Sequence, residues 1–210
     1  LRIATGGDGV GALADGRTVF VPRTAPGDLV RLRHLKLAKS YARAEIAEIE
    51  EPSPERVVPP CPHYERDQCG GCQLQHLAMP AQLAAKQAMV GQALRRIGRL
   101  ELEDPAIEPA GEAWGYRNKV TLAVTNGGRR IGFHRQGRAG DLFDLERCLI
   151  ADAALMDLWA VVREHRALLP DNAEQLVLRR DREGGCHLTV RVRGQTVWRS
   201  ATSLHVALVR

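Results

Sequence analysis

Residues 61–76 read CPHYERDQCGGCQLQH and hold three of the chain's five cysteines, and this stretch constrains the fold more than any other. The C-x7-C-x2-C spacing, with Gly70 and Gly71 inside the close pair, permits a tight turn that aims two thiolates at one centre while a third closes over it. That makes three ligands of a metal site. Tetrahedral zinc and iron-sulfur cubanes both take four, so the fourth must come from Cys148 or Cys186. Cys148 is the expected one: it lies in LERCLIAD, between a strand-like run and a helix start, whereas Cys186 follows a hairpin turn in REGGCHLTV. The spacing leaves zinc and iron-sulfur both open. A CxxC redox pair fits less well beside a third nearby cysteine. An odd, clustered set without a secretory signal argues against disulfides and for a reducing cytoplasm.

The 210 residues carry 30 Lys and Arg against 25 Asp and Glu, a formal charge of +5 that suits a polyanionic partner without demanding one. Apolar runs fall short of the ~20 residues that cross a bilayer, so no membrane partner is expected. Starting at Leu1 and finishing in the apolar-patterned SLHVALVR, the chain reads as a piece of something longer, and as a monomer.

Residues 1–55 read as a small all-β module. Short β-prone runs alternate with glycine-bearing turns at GGDGVG, ADG and APGD, which predicts a five-stranded barrel. Between Arg31 and Arg43 stand Arg31, Arg33, Lys36, Lys39 and Arg43, with His34 and Tyr41 and without an acid, a run suited to RNA contact. EEPSPERVVPP, residues 50–60, reads as a linker, placing a boundary near Glu55 between a domain of 1–55 and one of 56–210.

Pro80 can open a helix in which Leu83, Val90, Leu94 and Ile97 recur as a core stripe, stopped by Gly98. YRNKVTLAV and RRIGFHR flank Asn126-Gly127 as a β-hairpin, with Arg117, Lys119 and Thr121 on one face and Val120, Leu122 and Val124 on the other. Arg117, Lys119, Arg129, Arg130, Arg135 and Arg138 form a second acid-free run, and phosphate would supply the counter-charge. Trp114, Tyr116 and Phe133 read as core aromatics. Asp152 can cap a helix striped by Leu155, Trp159 and Val162. QLVLRR and HLTVRVR form a last hairpin whose Arg179, Arg191 and Arg193 read as a solvated face.

Together, CPHY…CGGCQLQH, AQLAAKQAMVGQALRRIG, WGYRNKVTLAV, IGFHR and LERCLIAD resemble the middle of bacterial RNA (uracil-5-)-methyltransferases of the large-subunit rRNA type. GDGVGALADGRTVFVPRTAPGDLVRLR followed by KSYARAEI looks like their TRAM domain, an OB-like RNA-binding module. The resemblance implies a mainly β fold with an α+β second domain: a small OB-like β-barrel, then an α+β central domain holding a 4Fe-4S cluster on Cys61, Cys69, Cys72 and Cys148. It implies RNA as partner, with ribosomal RNA ahead of transfer RNA. The implied reaction is thiolate addition at C6 of uracil, methyl transfer from S-adenosylmethionine to C5, and proton removal. In that family the cofactor fold and nucleophile lie in a C-terminal domain. The last sixty residues show no G-x-G between strand and helix, and GGCHLTV does not resemble the catalytic cysteine motif, so no catalytic residue is assigned. Two other classes stay in view: a non-enzymatic RNA-binding protein with structural zinc, and a redox module.

Overall fold

A computed structural model of the chain describes residues 2–125, 130–195 and 197–209. They form two compact units, each discontinuous in sequence: 1–60 with 72–109, and 61–71 with 110–210.

The first unit is built on strands β1 (Arg2–Ile3), β2 (Asp8–Ala12), β3 (Thr18–Pro22), β4 (Leu29–Leu37) and β5 (Tyr41–Glu51), in the spatial order β1-β2-β3-β5-β4. All neighbours are antiparallel except β3 and β5, which pair in parallel from Thr18 opposite Tyr41 to Phe20 opposite Arg43. Period-2 alternation puts Val19, Val21, Ala42 and Ala44 inside, against Leu13, Leu32 and Ile46. The β2–β3 turn closes through Gly16, whose φ of +84° belongs to the left-handed region that glycine enters without steric cost.

Helix α2 of this unit spans Met79–Arg96; a one-turn helix α1 (Pro62–Glu65) precedes it in the second unit. Pro80 lies in the first turn of α2, as read from the sequence. The inward face is a different one: Ala81, Ala85 and Met89, with Leu74, pack on Ile3, Ala25 and Leu77. Val90 and Ile97 of the expected core stripe are 50% and 84% exposed. The small i, i+4 alanines allow close approach, while Leu83 and Leu94 are half-buried and Val90 and Ile97 turn outward. The stretch 52–60 is not a free linker. Val57 N–H donates to the His76 carbonyl, Ala78 N–H donates to Glu55, and the Arg56 guanidinium grips the buried Asp28 carboxylate.

The second unit carries an antiparallel sheet of β6 (Lys119–Thr125), β7 (Arg130–His134), β8 (Leu142–Asp144), β9 (Ala173–Arg180) and β10 (Cys186–Val192), ordered β10-β9-β6-β7-β8. Helices α3 (Ala153–Glu164) and α4 (Ala201–Leu208) belong to the same unit. Val120, Leu122, Val124, Leu176 and Leu178 form the sheet's inner face, joined in one core by Leu155, Met156, Trp159 and Val162 of α3 and Leu204 of α4. Each such side chain contributes about 1.5–3 kcal/mol on burial. Asp152 caps α3, accepting the N–H of Ala154, and Trp159 Nε1 donates to the Leu145 carbonyl at 3.2 Å. The Asn126-Gly127 turn and Arg129 lie outside the described residues, although the strands flanking them pair as a hairpin.

Candidate functional site

The segment 61–71 is anchored to the second unit by its backbone. Cys69 forms an isolated antiparallel bridge with Arg135; Gly70 N–H donates to the His134 carbonyl, and Gln136 N–H donates to Gln68 at 2.7 Å. Cys61 is buried at the N-terminal end of α1, and Cys69 N–H donates to the His63 carbonyl. The Sγ of Cys69 accepts the N–H of Gly71 at 3.4 Å, the kind of bond that stabilises a thiolate or a cluster sulfur.

Cys148 lies in the loop between β8 and α3. Its N–H faces the Sδ of Met156 at 3.2 Å, its carbonyl accepts Ala151 N–H, and its side chain packs on the same core as Cys69. Cys72 opens the second segment of the first unit, and the next residue, Gln73, lies against Gly7. Cys186 is exposed at the start of β10 and lines a cleft of about 650 Å³ with Leu158, Trp198 and Leu208, where burial pushes its thiol pKa up.

His63 holds the Cys61–Cys69 segment to the Cys148 loop. Its ring is 1% exposed, tilted on Phe143 at 5.0 Å between centroids; Nε2 accepts the N–H of Glu146 at 3.1 Å, which leaves Nδ1 to donate to Asp67 at 2.7 Å. Arg66 bridges Asp67 and Glu146, both at 2.9 Å. Burial raises the Asp67 pKa, but the bonds from His63 and Arg66 outweigh it and hold the carboxyl below its ordinary value. Arg135 donates to the Asp67 carbonyl at 2.6 Å and lies over the Phe143 ring.

A cluster's fit to these residues rests on donor chemistry. All five thiols are free of disulfides, and the two second-unit segments bearing Cys61, Cys69 and Cys148 are tied together through His63 and Arg66. Among the described residues, no three His, Cys, Asp or Glu side chains are grouped as metal ligands.

The two basic runs are acid-free only along the chain. On the β4–β5 hairpin Arg31 binds Glu48 and Glu50 at 2.9 and 2.6 Å, Arg33 lies 3.6 Å from Glu45, and Arg43 pairs with Asp8 while stacking over Phe20. Among the described residues Lys36 and Lys39 form no ion pair; they stand at the hairpin's far end with exposed Leu35, Leu37 and Tyr41. In the second run Arg135 is committed to Asp67 and Asp141, Arg138 lies 3.9 Å from Asp141, and Arg130 donates to the Leu142 carbonyl. Arg117 and Lys119 are exposed. Trp114 and Tyr116, expected in the core, are exposed as well, whereas Phe133 packs inward.

No protein-family profile matches the chain. Among individual relatives, an uncharacterized RNA methyltransferase of Listeria innocua is 42% identical over 146 residues, covering 69% of this chain and 31% of the relative. Another, of Gloeobacter violaceus, is 38% identical over 168 residues, 77% of this chain and 36% of that protein. The similarity is to RNA methyltransferases. The chain spans about a third of the length of these relatives. Among solved structures, the tRNA (uracil-54, C5)-methyltransferase of Pyrococcus abyssi, in complex with S-adenosyl-L-homocysteine, matches with a TM-score of 0.61 and 24% identity over 94% of this chain and 48% of its own. That likeness is one of fold.

The sequence reading missed His63, Asp67 and Arg66 as a unit. His63 inside the one-turn helix α1 and Asp67 four residues on, just past its end, were a local signal, but Glu146, which completes the unit, is 83 residues from His63. Among the described residues no helix is long and apolar enough to cross a membrane.

Proposed function

We propose that this chain is the RNA-engaging, iron-sulfur-bearing portion of an S-adenosylmethionine-dependent RNA uracil-5-methyltransferase, with ribosomal RNA as the substrate ahead of transfer RNA. The observation that carries the reading is the identity of about 40% to RNA methyltransferases over 69–77% of the chain. The order β1-β2-β3-β5-β4 supports reading the first unit as an OB-like TRAM module, since five strands in a Greek-key arrangement make that fold. The tethering of the Cys148 loop to the Cys61–Cys69 segment supports Cys61, Cys69, Cys72 and Cys148 as ligands of a 4Fe-4S cluster, which would brace the second unit.

In this reading the chain's own residues bind and position RNA, and S-adenosylmethionine and the nucleophile belong to parts of the protein outside these 210 residues. The protein works in the cytoplasm, as a monomer.

The test is genetic and chemical. In cells lacking the gene, nucleoside mass spectrometry of ribosomal RNA should show the loss of one 5-methyluridine. Loss from transfer RNA alone would keep the reaction and change the substrate. Unchanged 5-methyluridine in both pools would refute the reading.

A further inference from the structure

The outer face of the second unit's sheet gathers cations from three strands that are far apart in sequence. Lys119 on β6 stands directly opposite Arg179 on β9, and Arg179 stands directly opposite His187 on β10. Two positions further along each strand come Thr121, Val177 and Thr189, and then Ala123, Gln175 and Arg191. Strand alternation points all nine outward, away from the core formed by Val120, Leu122, Leu176 and Leu178. None of the nine is a carboxylate.

Like charges directly opposite on neighbouring strands destabilise a sheet. Yet among the described residues neither Lys119 nor Arg179 forms an ion pair. Among the described residues Arg191 donates to the neutral amide of Gln175, at 3.2 Å, and forms no ion pair. The contrast lies within the same molecule: Arg180, the neighbour of Arg179 in sequence, pairs with Asp152 at 2.6 Å, Arg193 pairs with Glu174 at 2.6 Å, and His187 in the row itself is held by Asp181 at 2.7 Å, which leaves Lys119, Arg179 and Arg191 as the cations without a carboxylate among the described residues. Charges left uncompensated on neighbouring strands of one sheet face fit an extended polyanion. With strands ~4.8 Å apart and ~3.3 Å per residue, the patch measures roughly 10 by 13 Å, the scale of a short stretch of nucleic-acid backbone.

We infer that this sheet face is a phosphate-binding platform for RNA, with Lys119, Arg179 and Arg191 as its contacts. The inference rests on the RNA reading above. It moves the main contact of the second unit from the consecutive run 117–138 to a row assembled across β6, β9 and β10.

The experiment is fluorescence anisotropy of the 210-residue chain with a labelled single-stranded 20-nucleotide RNA, titrated between 50 and 300 mM salt. Lys119→Ala, Arg179→Ala and Arg191→Ala combined should weaken binding at least tenfold at low salt and lower the slope of log K against log salt by about 2, at roughly 0.7 per phosphate. The version with Arg179→Lys and Arg191→Lys should keep the slope. All three side chains are exposed; if the triple variant loses its native circular dichroism, Arg179→Gln alone should still reduce the slope by about 0.7. Native affinity and slope in the folded triple variant would overturn the platform and leave the RNA reading standing. Absence of RNA binding by the unaltered chain would overturn both. Polyglutamate displacing RNA from the face at equal charge concentration would assign the platform to acidic proteins instead.

Discussion

The Nε2 of His63 accepts the backbone N–H of Glu146 at 3.1 Å, joining two segments separated by 83 residues. Because the same ring donates from Nδ1 to Asp67, its tautomer and orientation are fixed from both sides. The loop that carries Cys148 is therefore tethered two residues from the thiol.

His63→Ala should destabilise the second unit by about 3 kcal/mol, since it empties a buried ring site, leaves the Glu146 N–H without its acceptor and takes one donor from the Asp67 carboxylate, which keeps Arg66. Urea unfolding followed by the fluorescence of Trp159, which lies in that core, measures it. A loss below about 0.5 kcal/mol would show that water and Arg66 replace both bonds at no cost.

Anaerobically prepared protein should be brown and hold about four iron and four sulfide per chain. Cys148→Ser should lose most of the iron, whereas Cys186→Ser, at an exposed strand end, should keep it. Stoichiometric zinc without sulfide would exclude the cluster and favour a structural zinc site.

Stability of the first unit should fall in acid in two separate windows. Burial holds the His76 pKa down at about 4, so the unfolded chain takes up a proton below pH 6.5 that the folded chain refuses until pH 4. Stability therefore rises with pH across that window, and about 2 kcal/mol should be lost between pH 7.5 and 5. His76→Gln should flatten the pH dependence of the urea midpoint there. Burial raises the Asp28 pKa, but Arg56 and the N–H groups of Ser53 and Ala25 outweigh it and hold the group below its ordinary value; its contribution is lost only as pH falls through the lowered folded value. A midpoint constant from pH 7.5 to 5 would contradict the assignment to His76.

On the β4–β5 hairpin, Lys36→Ala with Lys39→Ala should lower the salt slope of RNA binding by about 1.4. Arg31→Ala with Arg33→Ala should change it by less than half as much, because Glu45, Glu48 and Glu50 already neutralise those guanidinium groups. Equal effects from the two pairs would mean that the cross-strand ion pairs open when RNA arrives.

Gly132→Ala should cost about 1–3 kcal/mol, since a Cβ there would overlap the carbonyl oxygen of Phe143 on the paired strand. The urea midpoint of the second unit reports it, and an unchanged midpoint would show that β7 and β8 separate freely.

Local patterns were legible where neighbours in sequence decide the outcome. Alternation in KVTLAVT, the Asp152 cap and the β9–β10 hairpin all follow from adjacent residues and stand as read. Properties that depend on register were not. The acids that quench Arg31 and Arg33 arrive on β5 through a pairing with several register shifts, and the row Lys119, Arg179, His187 exists only once β9 lies between β6 and β10. On α2 the periodicity is real, but the face packed on Ile3 and Leu77 is that of Ala81, Ala85 and Met89, while Val90 and Ile97 of the expected stripe stay exposed.

The cysteine-bearing segment 61–71 belongs to the second unit, yet both stretches flanking it belong to the first. On the ribosome this inverts the usual order of completion. The first unit can close once residue 109 emerges, while Cys61 and Cys69 wait for the ~140 residues that follow, roughly 10–30 s at ordinary elongation rates. Throughout that interval the two thiols are nascent-chain thiols without their tertiary partners, open to oxidants and to iron-delivery factors alike. In the cluster reading proposed above, the supply of reductant and iron during synthesis would then weigh on the yield of loaded protein alongside the stability of the finished fold.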